Sequence, residues 1–249
     1  MSALLETRSL SKSFGGLNVT NNVDLAISAG DRVALIGPNG AGKTTLVNLM
    51  SGALPVSSGE VLIGGDTVTH MSQQDRAHRG LIRTFQITRL FESMTVADIL
   101  RVAAVQKHKA GLKLRWGRAR TDLVERDVER VLADIKMQDR RDSPVTLLAY
   151  GEQRLVELGV ALVMQPRVLL LDEPAAGVPQ SESHIIMDAI ERLPSDLGVV
   201  FIEHDMDLVF RFAARIVVLV NGGVFATGTP DEIAANDDVR AIYLGEADE

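Results

Sequence analysis

The run Gly37-Pro38-Asn39-Gly40-Ala41-Gly42-Lys43-Thr44-Thr45 has the residue types and spacing to hold a chain of phosphates. Apolar Val33-Ala34-Leu35-Ile36 precedes it, and Leu46-Val47-Asn48-Leu49-Met50, with helical spacing, follows. Strand, glycine-rich loop and helix are the context in which the pattern G-x-x-x-x-G-K-[ST] binds a nucleoside triphosphate. The glycines let backbone N–H groups turn inward around a β-phosphate, and the helix N-terminus adds its positive dipole end. Lys43 brings a point charge to the β- and γ-phosphates, and the Thr44 hydroxyl is a ligand for Mg²⁺. The plainer alternative is a glycine-rich turn that happens to carry a lysine. Agreement of motif and context weighs against it.

Carboxylates follow at a second place. Val168-Leu169-Leu170-Leu171-Asp172-Glu173 reads as an apolar strand, buried in a parallel sheet, that ends in adjacent acids. Two unpaired carboxylates at such a tip are costly, so they need a cation or bound water. Mg²⁺ beside a triphosphate supplies one, with Asp172 on the metal side. Glu173 then points to the γ-phosphate, where it orients or deprotonates an attacking water. A surface acid pair is the alternative, and the upstream loop weighs against it. Another strand, Gly198-Val199-Val200-Phe201-Ile202, ends in Glu203-His204-Asp205. Ligands of open α/β sheets gather at the carboxyl ends of the strands. This places His204 with Gly37, with Asp172 and with Gln86, which exits a strand over 81–86. The other four of the five histidines have no such position and read as solvated. Phe14 is either a core aromatic or a ring on which a base stacks; its position leaves both open.

The elements around these residues follow from turns and periodicity. Short strands are expected at 4–7 and 23–27 and into the phosphate loop, separated by turns at Gly15-Gly16 and Ala29-Gly30-Asp31. Residues 58–65 read as turn, strand, turn. Between 94 and 147 strand signals vanish, and helices are expected over 95–110 and 121–137. In the latter, Val124, Val128, Val131 and Ile135 share one face. No acid occurs from Ile99 through Thr121, where Arg101, Lys107, Lys109, Lys113, Arg115, Arg118 and Arg120 surround Trp116. A solvated face is the favoured reading of that run; a patch for an anionic membrane surface is the alternative. A helix over 181–193 follows the Asp172 strand. Asn221-Gly222-Gly223 turns a hairpin, and Thr229-Pro230-Asp231-Glu232 is a capping box with proline at its first helical position.

Composition narrows the class. The 249 residues are 46% hydrophobic, enough for one large α/β domain or two small ones. No apolar run approaches the roughly 18 residues of a membrane span. The first residues lack a basic region and a long apolar core, so no secretory signal is expected. Cysteine is absent, which removes disulfides, thiol nucleophiles and zinc–thiolate sites. A net charge of −7 argues against nucleic acid as the main partner.

Leu148-Ala149-Tyr150-Gly151-Glu152-Gln153-Arg154 opens an apolar helix shortly before the Asp172 strand. With the phosphate loop, Gln86, Asp172-Glu173 and His204, in that order, it resembles the nucleotide-binding domain of ABC transporters over nearly the whole chain. The resemblance implies a P-loop NTPase (RecA-like) α/β core over 1–86 and 155–235, with an antiparallel β subdomain. An inserted helical subdomain, 87–154, ends in the signature, and 236–249 form a helical tail. It implies ATP and Mg²⁺ as cofactors. Lys43, Gln86, Glu173 and His204 are the expected catalytic residues, and Thr44, Gln86 and Asp172 the metal ligands. Phe14 matches the adenine-stacking aromatic. Gly37 through Thr45 hold the phosphates, while Ala149, Tyr150, Gly151 and Glu152 face the γ-phosphate held by an opposite subunit, through free N–H groups at a helix start.

The motifs Leu148-Ala149-Tyr150-Gly151, Asp172-Glu173-Pro174-Ala175-Ala176-Gly177 and Ile202-Glu203-His204-Asp205-Met206, with the tail Tyr243-Leu244-Gly245-Glu246-Ala247, look like the ATPases of branched-chain amino-acid importers. Arg83-Thr84-Phe85-Gln86 is similar to one member of the ATPase pair such importers use. This implies membrane permease subunits and a second related ATPase, or a second copy, as partners, with a periplasmic or extracellular solute-binding protein acting indirectly. It implies a peripheral place at the cytoplasmic face of the inner membrane. Ala149 and Tyr150 depart from the common signature Ser-Gly, as this subgroup does. Pro179 departs from the usual Asp or Asn in a loop that couples the two ATP sites, and Val160 replaces a common arginine. A related importer ATPase for urea, amides or small organic acids is a second reading. A soluble ABC protein of repair or translation, and a non-hydrolysing regulatory partner, are further ones.

Overall fold

The computed structural model describes residues 3–84, 90–108 and 118–244. The chain forms two compact units: Met1–Arg83, Arg167–Pro174 and Pro194–Glu249 make the first, Thr84–Pro166 and Ala175–Leu193 the second.

In the first unit, β1 (Leu5–Phe14) and β2 (Leu17–Ile27) form a hairpin across Gly15-Gly16. With β4 (Ser58–Ile63) and β5 (Asp66–Thr67) they make an antiparallel sheet, order β2-β1-β4-β5. The strands expected at 4–7 and 23–27 are only the inner ends of β1 and β2. Their outer parts lie largely exposed, and register shifts near the positive-φ residues Ser9 and Asn22 break the apolar alternation. The second sheet joins β3 (Arg32–Ile36), β6 (Leu81–Arg83), β7 (Val168–Asp172), β8 (Gly198–Ile202), β9 (Arg215–Val220) and β10 (Gly223–Gly228). Its order is β10-β9-β3-β8-β7-β6, parallel throughout except for the β9–β10 hairpin. That hairpin turns on Asn221 and Gly222, both at positive φ as a two-residue hairpin with right-handed twist requires.

Both sheets and α1 (Lys43–Ser51) share one core, with Leu5, Val23, Leu35, Leu46, Leu49, Met50, Leu170 and Ile202 all buried. Each such side chain contributes about 1.5–3 kcal/mol by leaving water. Every position of β7 and β8 is buried, as expected of central parallel strands. Short α2 (Gln73–His78), α7 (Met206–Phe212) and α9 (Asp237–Leu244) complete the unit with α8 (Pro230–Ala234), which carries the expected Thr229–Glu232 capping box.

The second unit holds α3 (Val96–Lys107), α4 (Arg118–Asp134), α5 (Tyr150–Val163) and α6 (Gln180–Glu191). Val124, Val128, Val131 and Ile135 are buried, as their spacing predicts. A Cβ on Gly159 of α5 would come 3.0–3.1 Å from Ile135, Leu100 and Val131, so glycine permits this helix approach. Residues 155–166 and 175–193, expected in the α/β core, fall in this unit. The reason is packing: α5 is one unbroken helix against α3 and α4, and α6 lies on α5.

Arg101 pairs with Asp98 and Glu125 on a partly solvated face, while Lys107 pairs with the buried Asp127, so this end of the basic run is engaged in ion pairs within the fold. His108 is not simply solvated: its Nε2 lies 2.9 Å from Asp127. Burial pushes the Asp127 carboxyl up, but the bonds from Lys107 and His108 prevail and hold it below its usual value. Lys109, Lys113, Arg115 and Trp116, expected in the basic run, lie outside the described residues, as do the side chains of Arg118 and Arg120. Among the described residues no helix is long and apolar enough to cross a membrane.

Candidate nucleotide site

The loop Gly37–Gly42 joins β3 to α1 and is stitched to its neighbours by backbone bonds. Ala41 N–H donates to Pro38 O at 3.1 Å, closing the turn, and Leu46 N–H donates to Gly42 O at 2.8 Å. Gly222 N–H, from the β9–β10 turn, donates to Ala41 O at 3.1 Å. Glycine is obligatory at two positions. A Cβ on Gly37 (φ 147°) would lie 2.1 Å from Leu219 O, and one on Gly42 (φ 96°) 2.4 Å from Val19 O. Asn39 and Gly40 form the exposed tip. Lys43 is buried and folds over the loop, its Nζ donating to Gly37 O at 2.5 Å and Pro38 O at 3.0 Å. Thr44 is exposed at the helix start and Thr45 half-buried beside it.

Across the sheet, Asp172 ends β7 and is buried. Its Oδ2 accepts from Arg83 Nη2 at 2.8 Å, so the cation that this carboxylate demands in the protein itself is Arg83. Glu173 has φ 49°, left-handed backbone that costs a non-glycine residue on the order of 1–3 kcal/mol. A backbone bond and a side-chain bond help to hold it there. Its N–H donates to Ile202 O at 3.1 Å, and its Oε1 lies 3.0 Å from His204 Nε2. His204 follows the neighbouring strand β8 and is half-exposed, so Glu173 and His204 form a hydrogen-bonded pair at adjacent strand ends. Gln86 lies outside the described residues; β6 ends at Arg83, earlier than the expected strand.

Phe14 closes β1 and is 51% exposed, with Lys12 Nζ 5.1 Å from the ring centroid. A core aromatic is excluded.

In the second unit, Ala149 is the N-cap of α5. Glu152 Oε2 accepts its N–H at 2.9 Å, half of a capping box that alanine cannot return. Tyr150 packs on the Arg154 guanidinium, 5.3 Å from the ring centroid, and its hydroxyl would be 3.3 Å from a Cβ on Gly177. Arg154 also donates to Ala176 O at 3.2 Å, tying the segment to the loop after the carboxylates. Pro179 is the N-cap of α6 and gives no side-chain cap. Gly151 N–H, expected to face a phosphate, donates to Glu182 Oε2 at 3.1 Å. Sequence reasoning missed Glu182, Arg83 and Asn48. For Arg83 a signal existed: a cationic residue at the edge of an apolar strand, where Asp172 required a counter-charge.

The described residues hold no cluster of three or more His, Cys, Asp or Glu fit for a metal ion. One exposed hydroxyl at 44 and one carboxylate at 172 are hard oxygen donors, few in number. Such a set fits Mg²⁺, which keeps waters and takes phosphate oxygens as its other ligands.

A lysine folded over a glycine loop, with acid-tipped strands in the same parallel sheet, defines the class as a phosphate-loop nucleoside triphosphatase. The family profile described as "ABC transporter" matches residues 20–176, and one described as "Branched-chain amino acid ATP-binding cassette transporter" matches 224–249. The chain is 38% identical to the high-affinity branched-chain amino acid transport ATP-binding protein LivG of Escherichia coli K12, over 98% of both chains. It is 36% identical to BraF of Pseudomonas aeruginosa, again over 98% of both. The crystal structure of the ADP conformation of MJ1267, an ATP-binding cassette of an ABC transporter, superposes with a TM-score of 0.85 at 27% identity, over 98% of this chain and 100% of that one. The chain belongs to the ABC transporter family, as an ATP-binding subunit with ATPase activity that works with membrane permease partners.

Proposed function

We propose that this subunit couples ATP hydrolysis to uptake of branched-chain or other hydrophobic amino acids, at the cytoplasmic face of the inner membrane. The observation that carries this reading is 38% identity to LivG over nearly the full length of both chains, together with the subgroup's own C-terminal profile over 224–249. In this reading Gly37–Thr45 bind the phosphates, Lys43 neutralises them, and Phe14 stacks on adenine. Thr44 and Asp172, with Gln86, would hold Mg²⁺, which would offset charge on the phosphate oxygens. Glu173 orients the attacking water and accepts its proton, while His204 fixes the Glu173 carboxylate. A catalytic base pinned by a second group, on backbone strained toward one direction, is pre-positioned for that task. Ala149, Tyr150, Gly151 and Glu152 face the γ-phosphate of an opposite ATPase, once Glu182 releases the Gly151 amide.

Phe14→Ala is expected to weaken ATP binding by about 1–3 kcal/mol, the range for base–aromatic stacking, and Phe14→Tyr to be nearly neutral. Titration calorimetry reads this. Lower thermal stability at unchanged ATP affinity would contradict the stacking role.

Two departures, Ala149-Tyr150 and Pro179, lie in elements that the family resemblance turns toward the other subunit. A mixed pair carries each departure once. The chain alone is therefore expected to be mostly monomeric, with low ATPase. The decisive experiment is reconstitution with its permease, the related second ATPase and the solute-binding protein in liposomes. ATP-dependent uptake of leucine, isoleucine or valine supports the assignment. Uptake of urea, short amides or carboxylates instead would move it to the related importers.

A further inference from the structure

We propose that Arg83 is a positioning residue that sets the Thr44 and Asp172 oxygens at the geometry Mg²⁺ requires; this rests on the metal-ligand reading of that pair. Arg83 ends β6, at the edge of the parallel sheet, with its side chain only 10% exposed. Its guanidinium forks to two elements. Nη2 donates to Asp172 Oδ2 at 2.8 Å, and Nη1 donates to Asn48 Oδ1. Among the described residues its buried Nε has no hydrogen-bond partner, so these two arms define where the group sits.

One arm ends on a proposed metal donor, Asp172, and the other ends on α1 one helical turn from the second, Thr44. Asn48 lies on α1 one turn after Thr44, so the two share a helix face. Arg83 pairs in register with Leu170, and Asp172, two residues further along β7, projects to the same side of the sheet. One planar cation thus fixes the roll of α1 relative to the tip of β7. By taking Oδ2, it also sets the direction in which the Asp172 carboxylate presents its other oxygen. Lysine cannot replace it, because a point charge cannot span Asn48 and Asp172 with a rigid fork. Groups that orient metal ligands from behind typically change metal affinity by about 10–100-fold when removed.

The test is ATP binding to the full chain by calorimetry, in EDTA and in saturating Mg²⁺, for wild type and for Arg83→Lys, Arg83→Met, Asn48→Ala and Asp172→Asn. The expected result is that wild type and the Arg83 and Asn48 variants bind ATP in EDTA within about twofold of one another. The Mg²⁺-dependent gain in affinity should then fall about tenfold or more in both Arg83 variants, with a smaller loss in Asn48→Ala. Should Arg83→Met fold poorly, Arg83→Lys and Asn48→Ala carry the comparison. A wild-type gain in Arg83→Lys would show that charge alone matters and overturn the proposal. Equal losses with and without Mg²⁺ would reduce Arg83 to a structural role and overturn it too. If Asp172→Asn keeps the full gain, the metal-ligand reading itself fails, a result distinct from failure of the Arg83 proposal alone.

Discussion

Glu173→Gln is expected to bind ATP as tightly as wild type and to lose turnover by about 10²–10⁴-fold, the contribution of a positioned general base. The amide keeps the shape of the side chain and a partner for His204 Nε2, which lies 3.0 Å from Glu173 Oε1. The N–H bond to Ile202 O is a backbone contact and survives the change. What disappears is the ability to accept a proton from water. Single-turnover phosphate release, beside equilibrium ATP binding, reads the two effects separately. Wild-type hydrolysis would contradict the role given to Glu173, and weakened ATP binding would shift that role toward the nucleotide.

Lys43→Ala is expected to act on binding instead. Nζ is buried over the loop and held by Gly37 O and Pro38 O, ready to turn to the phosphates. Truncating one member of a buried charge pair costs about 2–5 kcal/mol, more than tenfold in Kd. ATP titration of Lys43→Ala, with thermal unfolding as a control for the loop, measures it. Unchanged affinity would count against the loop as the phosphate site.

The sequence made the parts with strict backbone demands easy to read. Gly37 and Gly42 cannot carry a Cβ, Lys43 sits where the motif puts it, and Asn221-Gly222 can only be a turn. The apolar runs of β7 and β8 announced buried parallel strands, and so the ends at which Glu173 and His204 meet. The outer halves of β1 and β2 were not legible, since exposed residues and register shifts erase their alternation. Nor was the side-chain chemistry that depends on long-range pairing. Asp172 clearly needed a cation, but only the β6–β7 register brings Arg83 to it. Glu182 on the Gly151 amide likewise depends on how α6 lies on α5, which no local pattern encodes.

The most direct measurement is a crystal structure of the Glu173→Gln variant with ATP and Mg²⁺. The expected density shows the β-phosphate inside Gly37–Thr45 beneath Lys43, adenine against Phe14, and Mg²⁺ between Thr44 and Asp172, with the side chain at 173 aimed at the γ-phosphate. Nucleotide bound away from that loop, or Mg²⁺ ligated without Asp172, would contradict it.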